Sequence, residues 1–394
     1  MPHKDNVGLP DIARLVQFER STMDKRRLDY LDLTKGIGII LVVIAHSTFT
    51  SYHVQTYIIA FHMPLFFIVS GMLLYHTGEE RNPLGRAIKK KAATIMIPYV
   101  AFSIAYLIID IAGMYLGLEA LTWADIGNSA LMFVTLRGIS VLWFMPALFI
   151  GQLLFLGCKK LCSRWTHKNA AMVAAWILAA IGMTVGSTLF HTYYPQDGSM
   201  PILCAGYFLT VMLRSLGSFS FLTIGYYGYC CYFEKRDRAY AKVSKGWKGI
   251  NWKETACGVL FLLLEAPLSR INGGVDMNNM VFANPVLYYL NAVMGTLGVL
   301  LVCRQIERCK PLRYLGVNSL IIMATHLDFQ VMYFAHRFAY GVKNRITGPN
   351  EGLFYLSVAF AVTLMEIFLI YVINRWLPFM LGKKKNRIKS SLDI

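Results

Sequence analysis

Residues 26–47 read RRLDYLDLTKGIGIILVVIAHS, and this stretch decides the fold class of the chain. Charged residues lead into an apolar run that has Lys35 near its start and His46 near its end. On a helix the two side chains project from one face, because eleven steps of about 100° end about 20° past three turns. They lie about 16 Å apart along the axis. Ionisable groups in a membrane helix are energetically costly, so the pair predicts a functional site.

The composition of the whole chain favours a membrane protein. Of its 394 residues, 56% are hydrophobic and only 15% are charged, whereas soluble domains average about 25% charged residues. The net charge of +17 is compatible with nucleic-acid binding, but the cations cluster between apolar runs, as the positive-inside rule requires. We therefore expect the lipid bilayer as a partner and no nucleic acid.

The apolar runs predict an all-α, polytopic protein with about ten transmembrane helices, each close to the length that a bilayer requires. The predicted spans are 33–51, 57–75, 93–116, 141–158, 170–190, 215–233, 255–270, 285–303, 316–337 and 353–376. Lys and Arg concentrate in every second connection, which places both termini in the cytoplasm of a multi-pass protein of the inner (plasma) membrane. Residues 1–30 form a basic cytoplasmic leader, 31–376 the transmembrane domain, and 377–394 a basic cytoplasmic tail.

The first span combines two kinds of chemistry. An imidazole such as that of His46 can take a proton from a hydroxyl near neutral pH. Lys35 is a point charge suited to a phosphate group. Asp32, three residues earlier on the same helix, is close enough to form an ion pair with it. His62 starts the second span and should lie near the outer end of the first. These residues predict anion capture at the cytoplasmic end and base chemistry deeper in the membrane.

Five motifs in order resemble those of membrane acyltransferase family 3. DLTKGIGIILVVIAH at 32–46 is similar to its first-helix motif, with the Lys that is typical of the fucose 4-O-acetylase-like branch. The other similar stretches are FHMPLFFIVSG at 61–71, the basic run before Ile97-Pro98-Tyr99, LWFMPALF at 142–149 and YLGVNSLIIMATH at 314–326. The resemblance extends from about residue 27 to about residue 375. It departs from the family at Thr94, where a second basic residue is usual before the third helix.

The resemblance implies an O-acyltransferase. Acetyl-CoA would be the cytoplasmic acyl donor, and a hydroxyl of a cell-envelope or extracellular carbohydrate would be the acceptor. His46 would be the general base, acting with Lys35. The donor-binding candidates are Lys35, Arg86, Lys89, Lys90, Lys91 and Tyr99. The substrate-pocket candidates are His62, Ser70, Trp143 and His326. No metal site is expected, because the eight cysteines contain no C-x-x-C pair.

Two other functional classes explain part of the pattern. A transporter or flippase could use His46, His326, Glu265 and Glu366 as an intramembrane proton relay. A membrane scaffold without catalysis would leave these buried ionisable groups without a role. The transporter hypothesis does not account for the ordered motifs or for the face that Lys35 shares with His46.

Overall fold

The computed structural model describes residues 28–47, 51–195, 198–237, 251–306, 309–342 and 351–383, and it is almost entirely helical. Most of the predicted leader and tail lies outside the described residues, so these divisions remain predictions. The helices of the first half are α1 (Asp29–Ala45), α2 (Tyr52–Ile59), α3 (His62–His76), α4 (Leu84–Lys91), α5 (Ile97–Tyr115), α6 (Trp123–Val134), α7 (Phe144–Cys162) and α8 (Lys168–Tyr193).

The second half continues the helical pattern with one small hairpin. Its helices are α9 (Met200–Gly228), α10 (Trp252–Asn272), α11 (Pro285–Cys303), α12 (Lys310–Val317), α13 (Ser319–Thr325), α14 (Val331–Val342) and α15 (Glu351–Trp376). Strands β1 (Val275–Asp276) and β2 (Val281–Phe282) pair in antiparallel fashion between α10 and α11. The hairpin therefore occupies a connection that the charge pattern assigns to the outer side of the membrane.

Six helical segments among the described residues are long and apolar enough to cross a membrane. They are Tyr52–His76, Leu84–Tyr115, Ser140–Cys162, Lys168–Tyr193, Met200–Asp237 and Pro285–Cys303. These segments support an all-α membrane protein. The count of about ten spans and the cytoplasmic position of both termini remain predictions.

Two predicted spans differ from the structure. The ninth, 316–337, is wrong as a single helix, because α12, α13 and α14 replace it. The first break is at Asn318, whose side-chain amide donates to the carbonyl of Tyr314 (2.9 Å). The second is the turn between α13 and α14, which ends at Gln330 with a φ of 59°. The sixth was predicted to begin after Arg214, but α9 runs continuously through this residue. Arg214 is accepted inside the helix because backbone carbonyls of other segments bind its guanidinium.

Glycines bring the central helices into backbone contact. A Cβ atom at Gly225 of α9 would lie 1.9 Å from the carbonyl oxygen of Ile68, and one at Gly71 of α3 would lie 2.0 Å from that of Leu222. Small residues that allow such close approach are a common device of packed membrane helices. Helix α3 is thereby held against α9, while its other neighbours include α1, α2 and α11.

Candidate active site

A cavity of about 390 Å³ lies at the C-terminal end of α1. It falls within the size range of small-molecule sites, roughly 300–1,000 Å³. Its polar and aromatic lining comes from five separate segments and comprises His46, Gln55, His62, Ser140, Trp143, Asp276 and Asn278. The remaining lining is largely apolar. Most of these segments are connections that the charge pattern assigns to the outer side.

His46 lies at the last turn of α1 with its ring exposed and lining the cavity. Its Nδ1 is 2.9 Å from the carbonyl oxygen of Val42. A carbonyl oxygen can only accept a hydrogen bond, so Nδ1 carries the hydrogen and Nε2 of the neutral ring has the free lone pair. No described residue hydrogen-bonds to Nε2. The arrangement therefore presents an unoccupied base to the cavity.

His326 contacts His46, is fully buried and does not itself line the cavity. Its Nδ1 lies 2.9 Å from the carbonyl oxygen of Ile322, which fixes the same tautomer as in His46. The Nε2 of His326 is 3.3 Å from the Nδ1 of His46, and the ring centroids are 5.1 Å apart. The Nδ1–H of His46 is therefore shared between the Val42 carbonyl and the lone pair of His326.

His62, a second lining residue of the cavity, has the same hydrogen-bond geometry. Its Nδ1 lies 3.0 Å from the carbonyl oxygen of Ile58, and its side chain is buried. Nearby, the hydroxyl of Ser47 is 3.4 Å from Nε2 of His336. Despite these histidines, no group of three or more His, Cys, Asp or Glu in the described part of the chain is arranged to hold a metal ion.

Two arginines orient Asn278 at the cavity wall. The buried Arg214 donates to the backbone carbonyl of Asn278 (Nε, 2.8 Å) and to its Oδ1 (Nη2, 2.5 Å). Arg137 donates to the same Oδ1 at 2.8 Å. Because Oδ1 accepts from both arginines, the Asn278 side chain keeps its amide N–H groups for other partners. Arg214 also lies over the ring of Trp143, 5.1 Å from the centroid, which fixes a second lining residue.

The predicted donor-binding residues form a separate group. Lys90 and Lys91 both pair with Glu79, while Arg86 and Lys89 are exposed. Burial alone would raise the pKa of Glu79, but the two ammonium groups outweigh it and hold this pKa below its usual range. The acidic partner reduces the net positive charge that this group offers to a phosphate.

Lys35 and Tyr99 are also engaged within the protein. Lys35 forms the expected ion pair with Asp32, at 2.8 Å, which confirms that prediction. Tyr99 is fully buried and donates its hydroxyl hydrogen to the carbonyl of Phe133 at 2.7 Å. Neither residue lines the cavity that contains His46.

The structure thus brings together part of the predicted site. His46, His62 and Trp143 line one cavity and His326 contacts His46, whereas Ser70 is not among the lining residues. From the sequence, Asp276 and Asn278 lie in an outer loop that could contact a sugar, although a solvated turn is the favoured interpretation, and nothing singles out Gln55 or Ser140 as lining residues. A charged residue inside an apolar run, Arg214, was the signal that could have led to Asn278.

The family comparison covers most of the chain. A family model described as an acyltransferase domain, that of acyltransferase family 3, matches residues 28–379. The match includes every candidate site residue. A search of curated proteins finds no individual match.

Proposed function

Because the chain belongs to acyltransferase family 3, we propose that it moves an acetyl group from acetyl-CoA to a hydroxyl of a cell-envelope or extracellular carbohydrate. The reaction takes place in the inner membrane, with the donor entering from the cytoplasm and the acceptor from the outer side. The observation that carries the proposal is His46 at the wall of a cavity, with its hydrogen on Nδ1 and the lone pair on Nε2 free of any hydrogen bond among the described residues.

His46 acts as the general base. Its Nε2 takes the proton of the acceptor hydroxyl while the oxygen attacks the thioester carbon, and a tetrahedral intermediate forms. Collapse of the intermediate breaks the carbon–sulfur bond, and the CoA thiolate takes the proton back from the His46 imidazolium. The products are the carbohydrate ester and free CoA, so atoms and charges balance without any further reactant.

His326 is a positioning residue in this mechanism. It does not touch substrate; it accepts the shared Nδ1–H of His46 and holds the ring with Nε2 towards the cavity. The bond strengthens when His46 becomes an imidazolium, since charge-assisted hydrogen bonds are roughly twice as strong as neutral ones. His326 therefore favours the state that His46 adopts during the reaction.

Asn278 is the proposed donor to the oxyanion. Its amide N–H groups are left for a ligand, and Arg214 and Arg137 fix the side chain through Oδ1. Fixed donors aimed at a developing oxyanion are among the largest contributors to enzymatic catalysis. Trp143 also lines this cavity, whereas Ser70 and Tyr99 do not.

Label transfer tests the proposal. Radiolabelled acetyl-CoA is supplied to inside-out membrane vesicles that contain the wild type, His46→Ala or His53→Ala, and label is counted in the carbohydrate fraction. His53 is an exposed control that does not line the cavity. We expect loss of transfer by roughly 10²–10⁴-fold only in His46→Ala, the range for a general base. Equal labelling in all three would refute the role of His46.

The second candidate, a proton-coupled transporter, is favoured by one observation. Glu265 is fully buried, and neither carboxylate oxygen has a hydrogen-bond partner among the described residues. Glu366 shares this environment, although its Oε2 accepts from the hydroxyl of Thr325 at 2.6 Å. Under the transporter hypothesis, the wild type transfers no acetyl label, and Glu265→Gln abolishes transport. Under the enzyme proposal, label transfer occurs in the wild type and requires His46.

A further inference from the structure

A second cavity, of about 530 Å³, lies at the opposite end of α7 from the His46 cavity. Residues 80–83, the end of α7 and the start of α8 form its walls. Its cationic lining comprises Arg81, Lys159, Lys160 and Lys168, and its one acidic lining residue is Glu80. The cavity is large enough for a nucleotide-sized group, since small-molecule sites measure roughly 300–1,000 Å³.

Of the four cations that line this cavity, Arg81 pairs with Glu80 at 3.6 Å, and the three lysines have no carboxylate within ion-pair distance among the described residues. Several cations elsewhere on the predicted cytoplasmic side do form ion pairs: Lys35 with Asp32, Lys90 and Lys91 with Glu79, and Arg304 with Asp237. Four cations in a concave site with one carboxylate leave an excess of positive charge, which attracts an anion more strongly than fully paired charges would.

Two further features fit an anion. The ammonium of Lys159 is half-buried, donates to the Tyr227 hydroxyl at 3.1 Å and lies 4.5 Å from the centroid of the Tyr226 ring. Its position is therefore fixed rather than spread over solvent-exposed rotamers. Lys168 is the first residue of α8, a helix of 26 residues whose N-terminus has no side-chain cap. Free N–H groups and the helix dipole at this end add positive potential to the cavity.

We propose that this cavity binds the phosphate groups of a ligand. The chemistry is shared by the 3′-phosphate and diphosphate of a nucleotide such as coenzyme A and by the headgroup of an anionic phospholipid. The alternative is a set of lysines that only anchors membrane topology, an effect that depends on charge near the membrane surface and not on a cavity. The proposal goes beyond the acyl-transfer proposal and stands independently of the chemistry at His46.

Binding measurements on the purified full-length protein test the proposal without any transfer assay. Adenosine 3′,5′-bisphosphate is titrated by calorimetry into the wild type, the double variant Lys160→Gln/Lys168→Gln and the control Lys253→Gln/Lys310→Gln. All four lysines are exposed, and both double variants remove two positive charges. We expect the cavity variant to bind at least roughly tenfold more weakly, as for loss of a hydrogen bond to a charged group, and the control to match the wild type.

Competition identifies the source of the phosphate. If vesicles of phosphatidylglycerol displace the bound bisphosphate and vesicles of phosphatidylcholine do not, the cavity accepts a lipid headgroup. If neither displaces it, the cavity is selective for a soluble nucleotide. Equal affinity of the two double variants, or no binding of either the bisphosphate or phosphatidylglycerol, overturns the proposal. If both double variants unfold at the same temperature as the wild type, misfolding is excluded as the cause of weaker binding.

Discussion

Replacement of His326 tests the positioning of the proposed base most directly. In His326→Leu the Nδ1–H of His46 keeps its bond to the Val42 carbonyl (2.9 Å) but loses the acceptor at 3.3 Å. In the ground state this is a neutral hydrogen bond, with a net value of about 0.5–1.5 kcal/mol. When His46 takes a proton, the same bond has a charged donor and contributes about 1.5–3 kcal/mol. The loss therefore falls mainly on the transition state.

The expected change in rate follows from these values. The change in kcat reflects the difference between the transition-state loss and the ground-state loss, about 1–1.5 kcal/mol, and corresponds to a decrease of roughly 5- to 13-fold at 1.36 kcal/mol per factor of ten. The KM for acetyl-CoA should change little, because a bond that strengthens only in the transition state contributes little to ground-state binding. His326→Gln should retain more activity than His326→Leu, since the Gln side-chain oxygen can accept the same hydrogen.

The assay is the initial rate of label transfer from acetyl-CoA in inside-out vesicles, with expression and thermal unfolding measured for each variant. A purely structural role for His326 predicts that kcat falls in proportion to the amount of folded protein and that Gln rescues no better than Leu. Wild-type kcat in folded His326→Leu would refute the hydrogen-bond argument. A decrease of more than about 10⁴-fold would indicate that His326 performs proton transfer itself.

Three further predictions concern packing, pH dependence and the cavity wall. Gly225→Ala forces the backbones of α3 and α9 apart and should destabilise the protein by at least about 1–3 kcal/mol, as measured by thermal unfolding. The control Gly228→Ala, whose added Cβ would meet nothing within 4 Å, should unfold at the wild-type temperature. Glu79→Gln should lower the unfolding temperature at neutral pH. Because the pKa of Glu79 is depressed in the fold, the difference from wild type is present above the ordinary carboxyl value of about 4.5 and disappears as pH falls through the depressed value; a constant difference down to about pH 3 would contradict the ion-pair explanation. Asn278→Asp should raise the unfolding temperature, because it gives two arginines a carboxylate, yet lower kcat, because it places negative charge where the oxyanion forms; unchanged kcat would contradict the oxyanion role.

The first helix and its ion pair could be predicted because they depend on local periodicity. Lys35 and Asp32 are three residues apart, so helical geometry alone brings them together. The start of the second span near the end of the first followed from chain connectivity, which is why His62 was expected near His46. By contrast, His326 is 280 positions from His46. A motif resemblance suggested that it faces the site, but no pattern in one sequence defines the hydrogen bond between them.

The broken ninth span shows why hydropathy alone was insufficient. Residues 316–337 are apolar enough to resemble one span, but Asn318 and the turn ending at Gln330 divide the region into separate helices. Hydropathy sums over a window and does not register a local competition between side-chain and backbone hydrogen bonds. The break matters for the site, because α13 ends where His326 begins the turn and so directs its ring towards α1.

The charges around Asn278 favour a reaction that generates an anion over proton transport. Neither Arg214 nor Arg137 has a carboxylate within 4.0 Å among the described residues, and Arg214 is only 1% exposed. A buried guanidinium without a close ion pair is costly, although hydrogen bonds to carbonyls and the more distant carboxylate of Asp276 reduce the cost. A relay that carries protons past this point would bring further positive charge towards it and increase that cost. A tetrahedral oxyanion beside Asn278 instead adds negative charge near the arginines only as the reaction proceeds, so the arginines would stabilise the transition state more than the ground state.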